Sequence, residues 1–269
     1  TITTDVLVIG GGGAGARAAL EASEKGAEVI LAVKGRFGSI GIRGAGSTAG
    51  GVSDRGGLDY PGAPGIQGFG RKNDLTQEQD YENIIELGLG MTDRKLAQIM
   101  AERSEEIMYP LVHEWSTEIF PRQWGMKSHG IPIMCALVPR VKQSGVRVLD
   151  YTTVAELLVE EGEICGAIGV NENTGDLSLI KTHQVIMATG GEGAMFQNFV
   201  TNPCTTGDGY ALAHRAGAQL MNLEFKQLFP AIIYPSINHF SAWFFVPHVK
   251  IYNGEGNEYI ADYLPEGVT

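Results

Sequence analysis

Positive charge, cysteine and long apolar runs are all scarce in this sequence, and each shortage excludes a class of function. Lysine and arginine number 20 against 31 acidic residues, which gives a formal net charge of −11. A protein that binds mainly nucleic acid or anionic lipid needs a basic face, so neither is the main partner. No apolar run approaches the roughly 20 residues of a membrane span, and the first residues do not resemble a signal peptide. We therefore expect a cytoplasmic protein, with a place in a peripheral membrane complex left open.

The three cysteines, Cys135, Cys165 and Cys204, lie far apart and form no Cys-x-x-Cys pair. This usage is typical of a reducing compartment. It also argues against a zinc or iron–sulfur site built from this chain alone.

Glycine, by contrast, is abundant. The 269 residues are 43% hydrophobic and 19% charged, as expected of a folded chain with a sizeable core. Thirty-seven of them are glycine, and the glycines concentrate between residues 10 and 70. This predicts many close backbone approaches, either to a ligand or between chain segments.

The first glycine cluster lies near the N-terminus. Residues 5–9 form an apolar, branched run typical of a strand buried on both faces, and Gly10, Gly12 and Gly15 follow it. Residues 14–25 are predicted to form a helix. Strand, glycine turn and helix in this order are the context of a dinucleotide fingerprint, in which the glycines permit a sharp turn, close approach of a pyrophosphate and tight packing. We therefore predict phosphate binding at the helix N-terminus, where N–H groups are free.

The second strand of this unit is predicted over residues 27–33. In an NAD-binding unit an acidic residue at the end of this strand holds the ribose. Val33 and Lys34 stand there instead, which argues against an ordinary NAD dehydrogenase. Lys34 is either a phosphate or ribose contact or a solvated loop cation, and the sequence favours neither.

Helices are predicted in the middle of the chain, after a glycine-rich stretch at 35–70 whose lack of periodicity predicts a functional or exposed segment. Thr76 and Gln79 form a capping box for a helix that ends near residue 87, and Thr92 is predicted to cap the next helix. Further helices are predicted from Pro110 and over 132–143. The apolar residues of the helix after Thr92 are predicted to face the core. They are Leu96, Ile99, Met100 and Ile107.

Strands dominate the second half. A strand at 146–150 is followed by a predicted β-meander over 153–159, 164–171 and 177–182. A further buried strand at 184–188 ends in a second glycine pair, Gly190 and Gly191. A plain tight turn would explain this pair if it stood by itself. Together with the N-terminal motif, it predicts a backbone that passes close to the same ligand.

One more helix, over residues 210–216, is predicted to open at the sequence Thr-Gly-Asp-Gly, residues 206–209. Asp208 is most simply its N-cap. A helix N-terminus also stabilises negative charge on a reduced cofactor, so Asp208 can be both cap and contact.

These motifs together resemble one family, the flavoprotein subunits of fumarate reductase and succinate dehydrogenase, with L-aspartate oxidase and adenylylsulfate reductase. The resemblance rests on GGGGAG at 10–15, STAGG at 47–51, ATGG at 188–191 and TNPCTTGDGYALAHRAGA at 201–218. It implies an α/β fold, namely a Rossmann-like FAD-binding domain with a central parallel sheet, a β-meander and the start of a capping domain. The domain is expected over 1–235 and the start of the cap over 236–269.

The resemblance also implies where FAD lies. The pyrophosphate would be held by Gly10, Gly12, Gly13, Ala14 and Gly15. The adenosine ribose would lie near Lys34 and Gly35, and the adenine near Val154 and Ala155. The isoalloxazine would be bordered by Ser47, Thr48, Ala49, Gly50 and Gly51, with Thr189, Gly190 and Asp208 completing the shell.

Departures from the family pattern bear on the chemistry. Covalent flavoproteins of the family carry a histidine where this chain has Gly44, so we expect dissociable, non-covalent FAD. Fumarate reductases place a histidine before proline where this chain has Phe229, and they follow it with a Glu/Arg-containing stretch that is missing here. Phe229 can neither hold nor polarise a dicarboxylate, which argues against fumarate and succinate as substrates.

The substrate segment looks more like adenylylsulfate reductase, whose Ala-Trp-Phe run resembles residues 242–244 and leads to a basic residue and an Asn. His239, His248 and Lys250 are weak catalytic candidates, and for each of them a surface or core role is the better explanation.

Members of the family are considerably longer, so residues 1–269 are expected to be a fragment or to be completed by another chain. Alone they are expected to bind FAD weakly. The sequence thus predicts an FAD-dependent reductase or dehydrogenase subunit that acts on a small molecule and passes electrons to an iron–sulfur partner. An adenylylsulfate reductase-like α subunit, a non-catalytic flavin-binding or assembly subunit and an NAD-binding module are the alternatives.

Overall fold

A computed structural model describes residues 1–38, 76–115, 130–197, 199, 202–225, 232–233, 238–239, 250 and 252–258. Its strands, in chain order, are β1 (Ile2–Thr3), β2 (Val6–Ile9), β3 (Val29–Ala32), β4 (Arg147–Leu149), β5 (Thr152–Glu160), β6 (Glu163–Asn171), β7 (Leu177–Lys181), β8 (Gln184–Met187), β9 (Ile232–Ile233) and β10 (Asn238–His239). Its α-helices are α1 (Gly13–Glu24), α2 (Gln77–Leu87), α3 (Arg94–Tyr109), α4 (Gly130–Gln143) and α5 (Asp208–Arg215).

A parallel sheet lies at the centre of this fold. Its four strands run in the order β4-β3-β2-β8, with Val6 paired to Val29 on one side and to Gln184 on the other. The carboxyl ends of these strands meet at one edge, where open α/β sheets bind their ligands. The predicted unit of strand, glycine turn, helix and parallel strand is confirmed, as is the parallel strand before the second glycine pair.

The predicted β-meander forms a second sheet, ordered β1-β7-β6-β5. Strands β5, β6 and β7 pair antiparallel, and β1 joins the far edge in parallel with β7. The turn between β5 and β6 places Glu161 at φ 51° and Gly162 at φ 85°. Two consecutive positive φ values give the twist that a two-residue hairpin requires.

The core lies on both faces of the parallel sheet, because successive side chains of a strand point to opposite faces. On one face, Val8 and Leu31 are buried against α1 and α4. On the other face, Leu7 and Ile30 are buried against the meander and Leu212 of α5. The central strands are therefore apolar throughout, as residues covered on both sides must be.

Trp115 joins two of the helices on the first face. It ends a short π-helical segment, Pro110–Trp115, that continues α3. The guanidinium carbon of Arg140 lies 4.4 Å from the centre of its ring and that of Arg17 lies 5.9 Å away. Both distances suit cation–π attraction, so this indole connects α4 to the helix that follows the glycine turn.

The capping box at Thr76 is confirmed, because the Gln79 amide donates to Thr76 Oγ1 at 3.2 Å and the Thr76 amide donates to Gln79 Oε1 at 2.8 Å. The predicted cap of the next helix is wrong by one residue. Asp93, not Thr92, accepts the hydrogen bond of the Leu96 amide, at 2.9 Å. A carboxylate is at least as good an N-cap as a threonine hydroxyl, and the Thr92 hydroxyl instead donates to the Ile84 carbonyl at 3.4 Å.

The prediction that Leu96, Ile99, Met100 and Ile107 face the core is also wrong. All four are exposed, and Leu96 retains 61% of its accessible surface. The buried positions of α3 are Ala97 and Ala101. Small residues let α3 approach its neighbours closely, while the four larger apolar side chains stay accessible to solvent. None of the described helices has both the length and the apolar character needed to cross a membrane.

Candidate functional site

A cavity of about 280 Å³ opens at the carboxyl edge of the parallel sheet. Its walls are the segments that follow β2, β3 and β8, together with the start of β5 and the N-terminal part of α5. By residue number these are 9–12, 32–35, 152–154, 188–191, 193, 202, 204–209 and 212. Much of this lining is glycine and other small residues, so the cavity surface is largely main chain.

Gly10 and Gly15 are required by backbone packing. Gly10 has a φ of 110°, and a Cβ on it would lie 2.1 Å from the Ala188 carbonyl oxygen. A Cβ on Gly15 would lie 1.8 Å from the Gly10 carbonyl oxygen. Real Cβ atoms do not approach a carbonyl oxygen this closely. Glycine at position 10 therefore permits the turn after β2, and glycine at position 15 lets α1 pack against that turn. Both roles match those predicted from the spacing.

Gly12 is different, because no atom of the described residues lies within 4 Å of where its Cβ would be. Its φ of −73° and ψ of −174° are extended values that any residue adopts. Packing against the described part of the chain therefore does not explain this glycine. Gly191, across the cavity, likewise has no described neighbour at its Cβ position. Open space beside two glycines at a helix N-terminus fits a pyrophosphate that must approach the backbone closely.

The loop after β8 and helix α5 form the opposite wall. Gly190 adopts a φ of 72°, and Gly209 lies so close to Thr189 that a Cβ would be 1.8 Å from the threonine Oγ1. Glycine at 209 therefore brings the first turn of α5 against the second glycine pair.

The Asp208 carboxylate connects two walls of the cavity. Its Oδ1 accepts a hydrogen bond from Thr206 Oγ1 at 2.8 Å, and its Oδ2 forms an ion pair with Lys34 Nζ. Lys34 Nζ also donates to Thr206 Oγ1 at 2.7 Å. The predicted N-cap role of Asp208 is wrong. Gly207, at φ 76°, is the N-cap, and Asp208 is the first residue of the helix.

The pKa of Asp208 is lowered from the ordinary value of 3.8. Burial by itself would raise it, but hydrogen bonds from Lys34 and Thr206 and the charge of Lys34 outweigh the burial. The carboxylate is therefore ionised at neutral pH, and Lys34 and Asp208 add no net charge to the cavity.

This ion pair makes stability depend on pH in a defined direction. Because the folded pKa of Asp208 lies below 3.8, the contribution is present above that value and is lost as pH falls through the folded pKa. The side chains retain 28% and 41% of their surface, so we expect Asp208→Asn to cost less than about 1 kcal/mol at neutral pH. Urea unfolding at about pH 6 and about pH 3 tests this. A gap between wild type and variant that stayed constant or widened in acid would contradict it.

The structure brings together eight of the predicted cofactor residues at the cavity. They are Gly10, Gly12, Lys34, Gly35, Val154, Thr189, Gly190 and Asp208. Gly13, Ala14 and Gly15 lie behind them in the first turn of α1. Ala155 does not line the cavity, and its carbonyl accepts a hydrogen bond from Arg215 at 3.1 Å. The isoalloxazine residues Ser47, Thr48, Ala49, Gly50 and Gly51 lie outside the described residues.

Of the three weak catalytic candidates, Lys250 is the one whose side chain the structure describes, and it does not line this cavity. Lys250 pairs with Glu258 at 3.0 Å and retains 65% of its side-chain surface, and this partner raises the pKa of Lys250. His239 belongs to the short strand β10, and His248 lies outside the described residues. The exposed ion pair supports a surface role for Lys250.

Sequence reasoning missed several lining residues that flank the predicted ones. Thr152, Asn202, Cys204 and Thr205 all contribute to the cavity. Burial raises the pKa of the Cys204 thiol, which Lys34 lowers and Glu172 raises further. The sequence Asn-Pro-Cys-Thr-Thr at residues 202–206 could have indicated them, since Asn and Thr side chains commonly form tight turns ahead of a helix. Within the described part of the chain, no three His, Cys, Asp or Glu residues could hold a metal ion.

Comparison with known proteins gives a family match over most of the chain. Residues 5–131 and 120–246 match the family model described as FAD binding domain. Among curated relatives, an uncharacterised FAD-dependent oxidoreductase of Methanocaldococcus jannaschii is 30% identical over 84% of this chain and 42% of its own length. The fumarate reductase flavoprotein subunit of Mycobacterium tuberculosis is 30% identical over 86% of this chain and 40% of its own length. An L-aspartate oxidase of Streptomyces coelicolor is 30% identical over 87% and 41%.

Solved structures give the same picture of the fold. The Sdh1 complex of Mycobacterium smegmatis contains a chain that superposes with a TM-score of 0.62 at 25% identity, covering 80% of this chain and 39% of that one. Adenylylsulfate reductase of Archaeoglobus fulgidus superposes with a TM-score of 0.55 at 22% identity, covering 81% and 36%. The chain thus spans about two fifths of the length of these proteins.

Proposed function

Because this chain belongs to the FAD binding domain family, as its family match shows, we propose that it is the flavin-binding part of an FAD-dependent oxidoreductase. The predicted family and fold class are both confirmed. The relatives named above include a fumarate reductase flavoprotein subunit and an L-aspartate oxidase. The activity of the whole protein is proposed by analogy with them.

The observation that carries the proposal is the open space at Gly12. A loop glycine kept for packing would have neighbours near its Cβ position, as Gly10 and Gly15 do. Gly12 has none among the described residues, and it stands at the cavity wall beside the N-terminus of α1. An adenine dinucleotide supplies the group that would fill this space, a pyrophosphate held by backbone N–H groups.

Each wall has a task in this proposal. The first turn of α1 would bind the pyrophosphate, helped by the positive end of the helix dipole. Ile9, Val154 and Leu212 would exclude water from the adenosine end, since all three line the cavity. When bound, FAD supplies two-electron transfer through its isoalloxazine ring. The chain itself would bind and orient the cofactor. From the resemblance, we propose residues 47–51 as the segment that borders the isoalloxazine ring.

We propose that FAD is bound without a covalent link, because Gly44 offers no nucleophilic side chain. We also propose a separate iron–sulfur subunit as electron partner. No group that could hold a metal is found among the described residues, and two of the relatives are named as subunits. A cytoplasmic location and a domain boundary near residue 235 belong to the same proposal.

The substrate is proposed to be a small molecule other than a simple dicarboxylate, because Phe229 stands where a fumarate reductase needs a polar group. The sequence Ala242-Trp243-Phe244 favours a second candidate function, reduction of adenylylsulfate. Aromatic side chains such as tryptophan and phenylalanine stack on nucleotide bases.

The test uses the full protein together with its natural partner. We expect FAD titration to give a yellow complex, and acid precipitation to release all of the flavin into the supernatant. The photoreduced complex is then mixed anaerobically with fumarate or with adenylylsulfate while flavin absorbance is followed. Reoxidation by only one of them identifies the substrate class. A colourless protein would overturn the proposed function, and a yellow complex that no acceptor reoxidises would favour a non-catalytic flavin-binding subunit.

A further inference from the structure

Asn202 is a buried residue of the cavity wall whose side chain carries both an acceptor and donors. It lines the cavity and retains only 5% of its accessible surface. Buried polar groups in folded proteins are normally hydrogen-bonded, and an exception needs an explanation. The partners of each end of this carboxamide therefore indicate what the residue does.

The oxygen of the Asn202 carboxamide has a partner within its own turn. Oδ1 accepts the backbone N–H of Cys204 at 2.7 Å. This bond fixes the orientation of the amide, because Nδ2 in the same place would set one donor against another. Pro203 follows and restricts the Asn202 backbone to extended conformations. The side chain is therefore held in one orientation by the turn itself.

The nitrogen of the same carboxamide is not used by the fold. Nδ2 carries two N–H donors, and no residue in the described part of the chain accepts a hydrogen bond from it. The turn needs only the oxygen, since Asp or Ser in this position would also accept the N–H two residues ahead. Because Asn202 lines the cavity, a bound ligand can supply the acceptor that Nδ2 lacks.

The contacts of this turn place Asn202 in the wall of the second glycine pair. The Asn202 carbonyl accepts the Thr205 N–H at 2.9 Å, and the Thr205 carbonyl accepts the Ala194 N–H at 3.0 Å. A Cβ on Gly190 would lie 3.5 Å from Thr205 Cγ2. The donors of Asn202 and the N–H groups at the start of α1 therefore belong to different walls of one cavity.

A pyrophosphate is the ligand group that such an arrangement suits best. It is anionic, and hydrogen bonds to an anion are roughly twice as strong as those between neutral groups. The ion pair of Lys34 and Asp208 adds no net charge to the cavity, so neutral donors must hold the phosphates. The helix N-terminus supplies them from one wall, and Asn202 Nδ2 supplies them from the other.

We propose that the Asn202 carboxamide binds the pyrophosphate of FAD through Nδ2. The inference rests on the proposed function and adds a side-chain donor to a phosphate site otherwise made of main chain. The two ends of one amide thus have separate tasks, since the oxygen holds the turn and the nitrogen binds the ligand.

The test variant is Asn202→Asp, which keeps the oxygen that accepts the Cys204 N–H and replaces the donors with a charged acceptor. The full protein with its natural partner is titrated with FAD by flavin fluorescence, and calorimetry measures the binding of ADP. We expect both ligands to bind at least about 30-fold more weakly than in wild type, because like charges meet at the pyrophosphate. Asn202→Ser adds no charge, and it should weaken both ligands about tenfold.

The matched control is Asn171→Asp, the same substitution in a similar turn. Asn171 Oδ1 accepts the N–H of Asn173 at 3.0 Å and that of Thr174 at 3.1 Å, and the residue lies outside the cavity lining. This variant should bind FAD and ADP as wild type does. An equal loss of affinity in both aspartate variants would mean that added negative charge explains the effect, and would overturn the inference.

The outcomes distinguish this inference from the proposed function. A wild-type protein that binds no FAD refutes the proposed function. Normal FAD binding by wild type and by both Asn202 variants overturns the inference alone. If FAD affinity falls while ADP affinity does not, Nδ2 contacts the flavin end and the assignment to the pyrophosphate is wrong. If urea unfolding without FAD shows that Asn202→Asp does not fold, Asn202→Ser decides by the same criteria.

Discussion

Replacing Gly12 by alanine is expected to raise the dissociation constant for FAD at least about 100-fold while the protein stays folded, a loss of roughly 2.7 kcal/mol in binding free energy. The new methyl group would meet no atom of the described residues within 4 Å, and the backbone angles at Gly12 suit alanine. Its only cost is to the ligand, because the methyl group takes the space in which the pyrophosphate must approach the helix N-terminus. Flavin fluorescence quenching measures the affinity, and urea unfolding without cofactor measures the fold.

The matched control is Gly254→Ala. Gly254 also has no atom of the described part of the chain within 4 Å of its Cβ position and lies outside the cavity lining, so alanine there should leave FAD affinity unchanged. If Gly12→Ala bound FAD as tightly as wild type, the pyrophosphate would lie elsewhere and the proposed binding mode would be wrong.

Replacing Gly15 by alanine is expected to have the opposite signature. A Cβ at this position would lie 1.8 Å from the Gly10 carbonyl oxygen and 3.2 Å from Ala188 Cβ. The carbonyl belongs to the backbone and cannot rotate away, so α1 must shift from the sheet. Alanine gains up to about 1 kcal/mol of helix propensity over glycine, yet overpacking of this severity should cost about 3 kcal/mol or more on balance.

The free energy of unfolding without FAD measures this effect, and Gly12→Ala is its internal control on the same turn. The two variants form a crossed design. Gly12→Ala should change affinity but not stability, and Gly15→Ala should change stability first. Equal destabilisation by both would mean that the open space at Gly12 is not available to a ligand.

Local sequence patterns predicted the elements around the cavity well. The unit built on β2, α1 and β3 depends on a continuous apolar run and on glycine spacing, both of which are properties of neighbouring residues. The meander was predictable for the same reason, because Gly162 and Gly175 mark turns that need positive φ. Glycine positions and apolar runs therefore sufficed to predict the edge of the sheet at which the cavity opens.

What could not be predicted depends on contacts between distant residues. Lys34 was ambiguous because its partner Asp208 lies 174 positions away, and no local pattern records which wall a side chain will meet. Asp208 was expected to cap α5, since Asp is a common N-cap. The αL conformation of Gly207 takes that position and releases the carboxylate into the cavity.

The prediction of the buried face of helix α3 was wrong for a different reason. Its periodic apolar residues are typical of a face packed on a core, but Leu96, Ile99, Met100 and Ile107 are exposed while Ala97 and Ala101 are buried. The helix has apolar residues on more than one face. The face with the small residues Ala97 and Ala101 lets the helix pack more closely on its neighbours. Periodicity identified the helix and could not choose its orientation.

The contact between Gly10 and Ala188 has a consequence for how such proteins diversify. At this part of the cavity wall the backbone of Gly10 lies directly against the backbone of Ala188, with no side chain between them. Natural selection can exchange side chains freely, but it cannot reshape a surface made of main chain without rebuilding the fold. Exchanging side chains therefore leaves this surface nearly as it is, and the residues that could adapt the site to a different substrate are those of the surrounding segments.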